Sequence, residues 1–436
     1  MRVRLEVASA FSPRAALVAL LAAASACATT HGTATPATVP APVTYEMEPL
    51  KITAVKGPDG QHLESFDATE LFEQAGAELS EKRFDDAIKT YDRLLKEFDD
   101  PRYKKAALYN TGLALQGKKD WAAAIERFRI LIDQYPDTDD AKDALYQTGA
   151  SYAEMENWPT SAVIFAEILQ RKDLNADDRI EALGRRGFAQ FKLKDLDTAE
   201  RTFRSALAYF TQIEKDQRLQ TDFYLGLCKY HLGQIPHERF RAAPLRLPER
   251  QMNIDLDEKA RLLLTAQRQY IETIKLGNPQ WASAAGYQVG SLYEELYDAF
   301  IHAPIPPEML GAANVEKRDV YFDELRKKIR ILLEKSAKWT EQNLLMIERL
   351  GIDNEWRDKS KLAFAKLQKL LDPNTLLHPG EEGPEAPPAT TPGPGPATPV
   401  PPTSRPPATG PGEAAPPTIR EPNQPPRAPA FQRQIL

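Results

Sequence analysis

Between about residue 67 and residue 212, apolar residues recur at the three- and four-residue spacing of amphipathic helices, and the pattern repeats four times with a period of 37 to 39 residues. Ala75, Gly112, Gly149 and Gly187 mark its phase. Nine residues after each marker stands a large apolar residue (Phe84, Trp121, Trp158, Leu196), and twelve after it a small one (Ala87, Ala124, Ser161, Ala199). Sixteen after it stands an aromatic: Tyr91, Phe128, Phe165, Phe203. Small residues let two helices approach closely, and aromatics fill the space beside the contact. This is the pattern of a helix–turn–helix unit stacked on copies of itself.

The pattern predicts its own punctuation. Asp67-Ala-Thr-Glu70 sets an N-cap residue three positions before a glutamate, and Pro101, Pro136 and Asp173 fall at the ends of second helices. A fifth unit keeps phase through Gly226 but is predicted to break at the insertion Gly233–Met252, which contains Pro236, Pro244 and Pro248. A long helix is expected from about Asp255 to Gly277, then a sixth unit from Trp281 with Gly290 in phase, interrupted at Ala303–Pro307. Helices from about Asp319 to Leu350 and from Glu355 to Leu371 complete the folded part. We therefore expect an all-α solenoid with four regular units over 66–215 and an irregular helical region over 216–372.

Both ends differ from this middle. Arg2, Arg4 and Arg14 precede an apolar run, Ala15–Ala24, that is too short to span a bilayer, and Ser25-Ala26-Cys27 follows it. Residues 1–26 thus read as an export signal. Residues 27–65 begin rich in Ala, Thr and Pro and read as a flexible tether. From Pro373 onward the chain holds 20 of its 36 prolines, and 373–436 is expected to be a disordered arm. Cys228, the other cysteine, lies in an apolar helical pattern and reads as a buried small residue.

The chemistry that these residues exclude is as informative. The net charge of −6 is dispersed, with no basic stripe of interleaved aromatics, so nucleic acid is not expected as a partner. His31, His62, His231, His237, His302 and His378 are scattered, and no CxxC, Gly-rich phosphate loop or nucleophile motif appears. Acidic pairs such as Asp139-Asp140 and Asp177-Asp178 fall at predicted helix starts, where carboxylates meet the helix dipole favourably. No enzyme activity, cofactor or metal is expected. The insertion contributes His237, Arg239, Arg241, Arg246 and Arg250, a basic loop that could contact an acidic partner surface or an anionic glycan, or stand free in solvent.

The stretch Leu108-Tyr-Asn-Thr-Gly112-Leu-Ala-Leu, then Trp121-Ala-Ala-Ala124-Ile-Glu-Arg-Phe128, ending in Pro136, resembles the tetratricopeptide-repeat consensus. Ser25-Ala26-Cys27 resembles the lipobox of bacterial lipoproteins, in which the cysteine becomes the acylated first residue; Ala24 departs from the leucine common there, which leaves ordinary cleavage at Ala24-Ser25-Ala26 as the alternative. Ala28 after it implies, by that family's sorting rule, the outer membrane. Together these features resemble the tetratricopeptide lipoproteins of Gram-negative envelopes, and the extension from Tyr293-Glu-Glu-Leu-Tyr-Asp-Ala-Phe300 resembles that of the myxobacterial gliding-motility machinery. The resemblance implies a non-enzymatic scaffold, lipid-anchored through Cys27 and facing the periplasm, that organises envelope proteins. Rival readings are a barrel or secretin assembly factor of pilotin type, and a regulator of peptidoglycan synthesis or cell division in contact with peptidoglycan.

In that family, extended peptides bind a face lined by first helices. Mapped onto this chain, the lining is Phe72, Tyr109, Leu113, Tyr146, Phe188, Phe191, Phe223, Leu227, Tyr230 and Tyr287. Such an aromatic row would suit a partly apolar strand or helix; equally, the rings could be core between repeats. The Lys and Asn of the carboxylate clamp are replaced by Tyr109 and Leu113, or Tyr146 and Ala150, so a chain-end carboxylate is not the expected ligand.

Overall fold

The computed structural model describes residues 50–57 and 60–372. The leader, Cys27, most of the tether and the arm after Asp372 lie outside the described residues. Thirteen α-helices run through this part, and eight of them form the four regular units. These are α1 (Ala68–Ser80) with α2 (Phe84–Glu97), α3 (Pro101–Gly117) with α4 (Trp121–Gln134), α5 (Asp139–Glu154) with α6 (Trp158–Ile168), and α7 (Ala176–Lys192) with α8 (Leu196–Ile213). Within each unit the two helices pack on each other, and each second helix packs on the first helix of the next unit. The stacked helix pairs are an α-solenoid of tetratricopeptide type.

The residues that mark the period are the residues that make the contact. Each second helix starts at its large apolar residue: Phe84, Trp121, Trp158 or Leu196. The small residues Ala87, Ala124, Ser161 and Ala199 are buried, as are Tyr91, Phe128, Phe165 and Phe203. Burying each such ring contributes ~2–3 kcal/mol. The phase glycines give these rings room. A Cβ on Gly112 would stand 2.3 Å from Phe128 Cε1, one on Gly149 2.7 Å from Phe165 Cζ, and one on Gly187 2.6 Å from Phe203 Cε1.

The turn between paired helices also repeats, in a way the sequence pattern did not announce. Lys82, Lys119, Glu156 and Lys194, each seven residues after its marker, take left-handed φ values of 56 to 63°. That conformation costs an L-residue roughly 1–2 kcal/mol. It reverses the chain so that the next residue can cap the second helix: Asp120 accepts from the Ala123 amide, Asn157 from Thr160 and Asp195 from Thr198. Asp67 and Glu70 form the expected capping box on α1.

Two stretches differ from expectation. Residues 51–66, assigned above mostly to the tether, pair as an antiparallel hairpin, β1 (Lys51–Gly57) with β2 (Gly60–Phe66). At its base Phe66 is buried, edge-on to Phe98 at 6.2 Å and covered by the Arg93 guanidinium at 3.5 Å. The insertion at 233–252 is not a loop throughout. Helix α9 (Phe223–Ala242) continues through Pro236, and α10 (Glu249–Leu276) starts before the predicted Asp255. Proline costs a helix one hydrogen bond and crowds the preceding turn. Here Leu225, Leu227, Leu232, Ile235 and Phe240 are buried along the same helix, against partners that include Tyr270, Trp281 and Val289. That burial outweighs the local defect. The remaining helices are α11 (Pro279–Ile301), α12 (Val315–Arg349) and α13 (Glu355–Leu371), with Gly351 left-handed at φ 61° after α12.

Candidate partner-binding face

First helices touch their like neighbours directly: α1 with α3, α3 with α5, α7 with α9, α9 with α11, and α11 with α13. Helix α5 meets α7 through side chains, Lys142 and Tyr146 on Asp178, so the first helices form a continuous face, and the ten residues mapped to a groove lie on it. Most are inside it. Phe72, Tyr109, Leu113, Tyr146, Phe223, Leu227 and Tyr230 are buried, while Phe188, Phe191 and Tyr287 are half-buried.

The seven buried residues correct the groove reading, and the reason is geometric. Where adjacent first helices abut, this position points into the seam between them and against the second helix behind. Phe72 packs on Tyr91 at 5.7 Å, Tyr109 on Phe128 at 5.7 Å, Tyr146 on Phe165 at 6.2 Å and Phe223 on Trp281 at 5.3 Å. The hydroxyls are likewise engaged across repeats. Tyr146 donates to the Asp178 carbonyl oxygen at 2.6 Å, and burial raises its pKa well above that of a free phenol. Tyr230 accepts from Gln234 at 2.8 Å and from Gln288 at 3.1 Å.

What lies along the seams beside these rings, buried or half-buried, is polar. Lys105 pairs with Asp140 at 3.2 Å between α3 and α5. Between α5 and α7, buried Lys142 reaches Asp178 at 3.0 Å and Asp139 at 3.2 Å within its own helix. Between α7 and α9, Arg185 holds Glu181 at 2.7 Å and donates to Tyr224 Oη at 2.6 Å. Gln116 donates to Ser151 Oγ at 2.9 Å, and Gln147 donates to Tyr109 Oη at 3.4 Å. Sequence mapping missed this cross-repeat ladder because only stacking brings its members together. Its one sequence trace is the carboxylate at the starts of α5 and α7, Asp140 and Asp178, which serves both the helix dipole and a lysine one repeat away.

Phe188 and Phe191 belong to a second cluster. Both stand edge-on to His231 at 5.2 Å, and Phe203 stacks on the same ring at 5.5 Å. His231 Nδ1 lies 2.9 Å from the Leu227 carbonyl oxygen. Burial pushes the imidazole pKa down to about 4, so the ring is neutral at neutral pH, with Nδ1–H donating to that carbonyl.

The basic loop is also corrected. His237, fully buried on α9, bridges Tyr270 Oη at 3.0 Å and Glu295 Oε2 at 3.1 Å. Although burial opposes it, hydrogen bonds from His237 and Arg241 hold Glu295 down to about 2. The carboxylate is therefore ionised and His237 Nε2–H donates to it. Arg239 pairs with Asp197 and Glu200, and Arg246 with Asp255. Nearby, an open cleft of about 500 Å³ is lined by Glu200, Pro236, Arg239, Glu258, Arg261 and Thr265. Its cations are matched by its own carboxylates, Arg239 by Glu200 and Arg261 by Glu258. Among the described residues no group of His, Cys, Asp and Glu is placed to hold a metal, and no helix is long and apolar enough to cross a membrane.

Comparison with known proteins agrees with this geometry at the level of fold. The tetratricopeptide repeat family matches residues 106–138, which run from within α3 through α4. No curated protein matches the chain. Similar solved structures include a tetratricopeptide repeat protein from Parabacteroides merdae, at 14% identity and TM-score 0.33, covering 69% of this chain and 98% of that one. MamA from residue 41 onward, from Desulfovibrio magneticus, is 14% identical over 49% of this chain and 99% of its own, at TM-score 0.31. A repeat protein from Bacteroides fragilis is 15% identical over 70% and 99%, at TM-score 0.24. Likeness this distant carries no argument about partner or activity. What the helix pairs and the matched stretch share is the tetratricopeptide type of repeat.

Proposed function

We propose that the chain is a protein–protein interaction scaffold, tethered by lipid on Cys27 to the outer membrane, that holds envelope proteins on its first-helix face. The observation that carries the scaffold reading is the side-by-side run of first helices, an extended surface with a polar seam at each repeat. Such a surface offers paired donors and acceptors to an extended backbone, whereas the buried rings give the face its rigidity. The anchor rests on the Ser25-Ala26-Cys27 motif behind a basic and apolar leader. Service in a motility machine of the myxobacterial type follows from the resemblance of the C-terminal extension and is the narrowest part of the proposal.

Crosslinked pull-down from envelopes tests the face. Gln116→Arg with Gln147→Arg places two charges on the seam without emptying the core, and the bound partners should be lost. An unchanged partner set would remove this face from the reading. For the anchor, Cys27→Ala should move the protein from the membrane fraction to the soluble periplasm, and retention at the membrane would refute acylation.

A further inference from the structure

Helix α12 is longer than the helices packed against it. Ser336 Oγ donates to the Gly290 carbonyl oxygen at 2.9 Å and Asn343 Nδ2 to that of Ser283 at 3.1 Å. This antiparallel register sets the end of α11, at Ile301, beside about residue 325 of α12. On the α13 side, Asn343 Nδ2 donates to Ser360 Oγ at 3.0 Å, and the Arg330 guanidinium reaches the Leu371 carbonyl oxygen at 2.9 Å. Helix α13 therefore stops beside about residue 332. Over the first four turns of α12 no α-helix packs on the α13 side; the short 3-10 turns Pro307–Met309 and Ala312–Asn314 touch α12, yet within 315–328 no described residue is fully buried. A helix without tertiary packing is marginal in water.

The uncovered stretch is not uniformly polar. Val315, Phe322, Arg326 and Arg330 are spaced by seven, four and four residues, so they share one stripe, and Arg330 is the residue that meets the end of α13. Val315 is 41% exposed and Phe322 is half-buried, with the Arg326 guanidinium 6.0 Å from its ring centre. The stripe begins where α13 ends, and the chain leaves α13 in its direction. Asp372 is extended (φ −63°, ψ 123°), the conformation that a following proline enforces.

The distances close on one segment. From beside residue 332 back to Phe322 is ten residues of α12, or ~15 Å at ~1.5 Å each. An extended chain at ~3.3 Å per residue crosses that in about five residues. Five residues after Leu371 is Leu376, and Leu376-Leu377 are the first large apolar residues beyond α13. We propose that residues 373–378 return along the uncovered stripe of α12 and seat Leu376 and Leu377 on Phe322. The proline-rich arm would then start from the N-terminal end of α12, not from the end of α13. This is independent of the partner reading above.

The test uses the full chain. A photocrosslinking residue at Asp319, on the same stripe, should yield an intrachain crosslink to a peptide within 373–380. Crosslinks to a second copy, to another protein, or to nothing would overturn the proposal. In parallel, Leu376→Asp with Leu377→Asp should speed amide hydrogen exchange across 315–328 by at least about tenfold while leaving 333–349 unchanged. Equal exchange in the variant and the natural chain would overturn it too. Both substitutions lie outside the packed helices, so circular dichroism should confirm an intact fold.

Discussion

Replacing Gly112 by alanine separates two forces that act on the same atom. By helix propensity alone, alanine inside α3 should stabilise the protein by ~1 kcal/mol. The packing opposes this. The added Cβ would stand 2.3 Å from Phe128 Cε1 and 2.5 Å from its Cζ, about an ångström inside ordinary contact. Phe128 has no room to yield, since it is fully buried and braced by Tyr109 at 5.7 Å. Overpacking of a rigid core costs ~1–3 kcal/mol, and a clash this deep belongs at the upper end. The net expectation is destabilisation by ~2 kcal/mol. The first repeat supplies the opposite case, because Ala75 already occupies the phase position there, fully buried. Ala75→Gly should therefore also destabilise, through lost propensity and a small void. Combining Gly112→Ala with Phe128→Leu should recover more than ~1 kcal/mol relative to the sum of the single effects, because the smaller side chain removes the clash. Urea unfolding followed by circular dichroism reads all four variants. A neutral or stabilising Gly112→Ala, or strict additivity in the double variant, would refute the claim that steric approach sets the repeat.

Three further outcomes follow from named contacts. Lys119→Gly should stabilise by ~0.5–1 kcal/mol in the same unfolding assay, since Lys119 sits at φ 63° and glycine relieves that strain at some cost in chain entropy; Lys119→Ala should give no gain. Phe203→Ala should cost ~3–5 kcal/mol, because the ring is fully buried and stacks on His231 at 5.5 Å. His231, with its pKa lowered from 6.5 to about 4, is held neutral by the fold, so acid favours the unfolded chain. Stability should fall as pH drops from about 6.5 towards 4, by ~3 kcal/mol over the window, and level off below it. His231→Phe should lose that part of the pH slope, and an identical slope in both proteins would count against it.

How much of this was legible in the sequence depends on which forces leave a local mark. Steric approach does: the marker glycines, the small residues twelve positions on and the rings sixteen positions on are required by contact within one unit, so period and phase could be read directly. The turn left no such mark, because its left-handed residue is Lys or Glu in every regular unit where glycine would have announced it. The hairpin had a signal that composition masked. Lys51-Ile-Thr-Ala-Val-Lys, then Gly57-Pro-Asp-Gly60, is a β-prone run ending in turn residues, but it follows a long Ala/Thr/Pro stretch. Pro236 misled in the other direction, since a breaker counts locally and burial along α9 counts globally.

The groove residues show the deeper limit. Their positions on the first helices were read correctly, yet exposure at a helix position is decided by how closely the next copy stacks. Small residues draw the helices together, and close stacking turns a lining ring into core. The same tightness brings Lys142 to Asp178 and Arg185 to Tyr224, 36 and 39 residues apart in the chain. Rings and ion pairs thus exchange the roles that sequence mapping gave them: the aromatics fix the spacing of the repeats, and the polar ladder, in the function proposed above, is the part of the face left for a partner. A partner recognised this way should bind through its backbone and charges, so Tyr109→Leu should leave binding intact while Arg185→Glu abolishes it. If instead the ring substitution is the one that releases the partner, the face opens in solution and the aromatic row is its ligand.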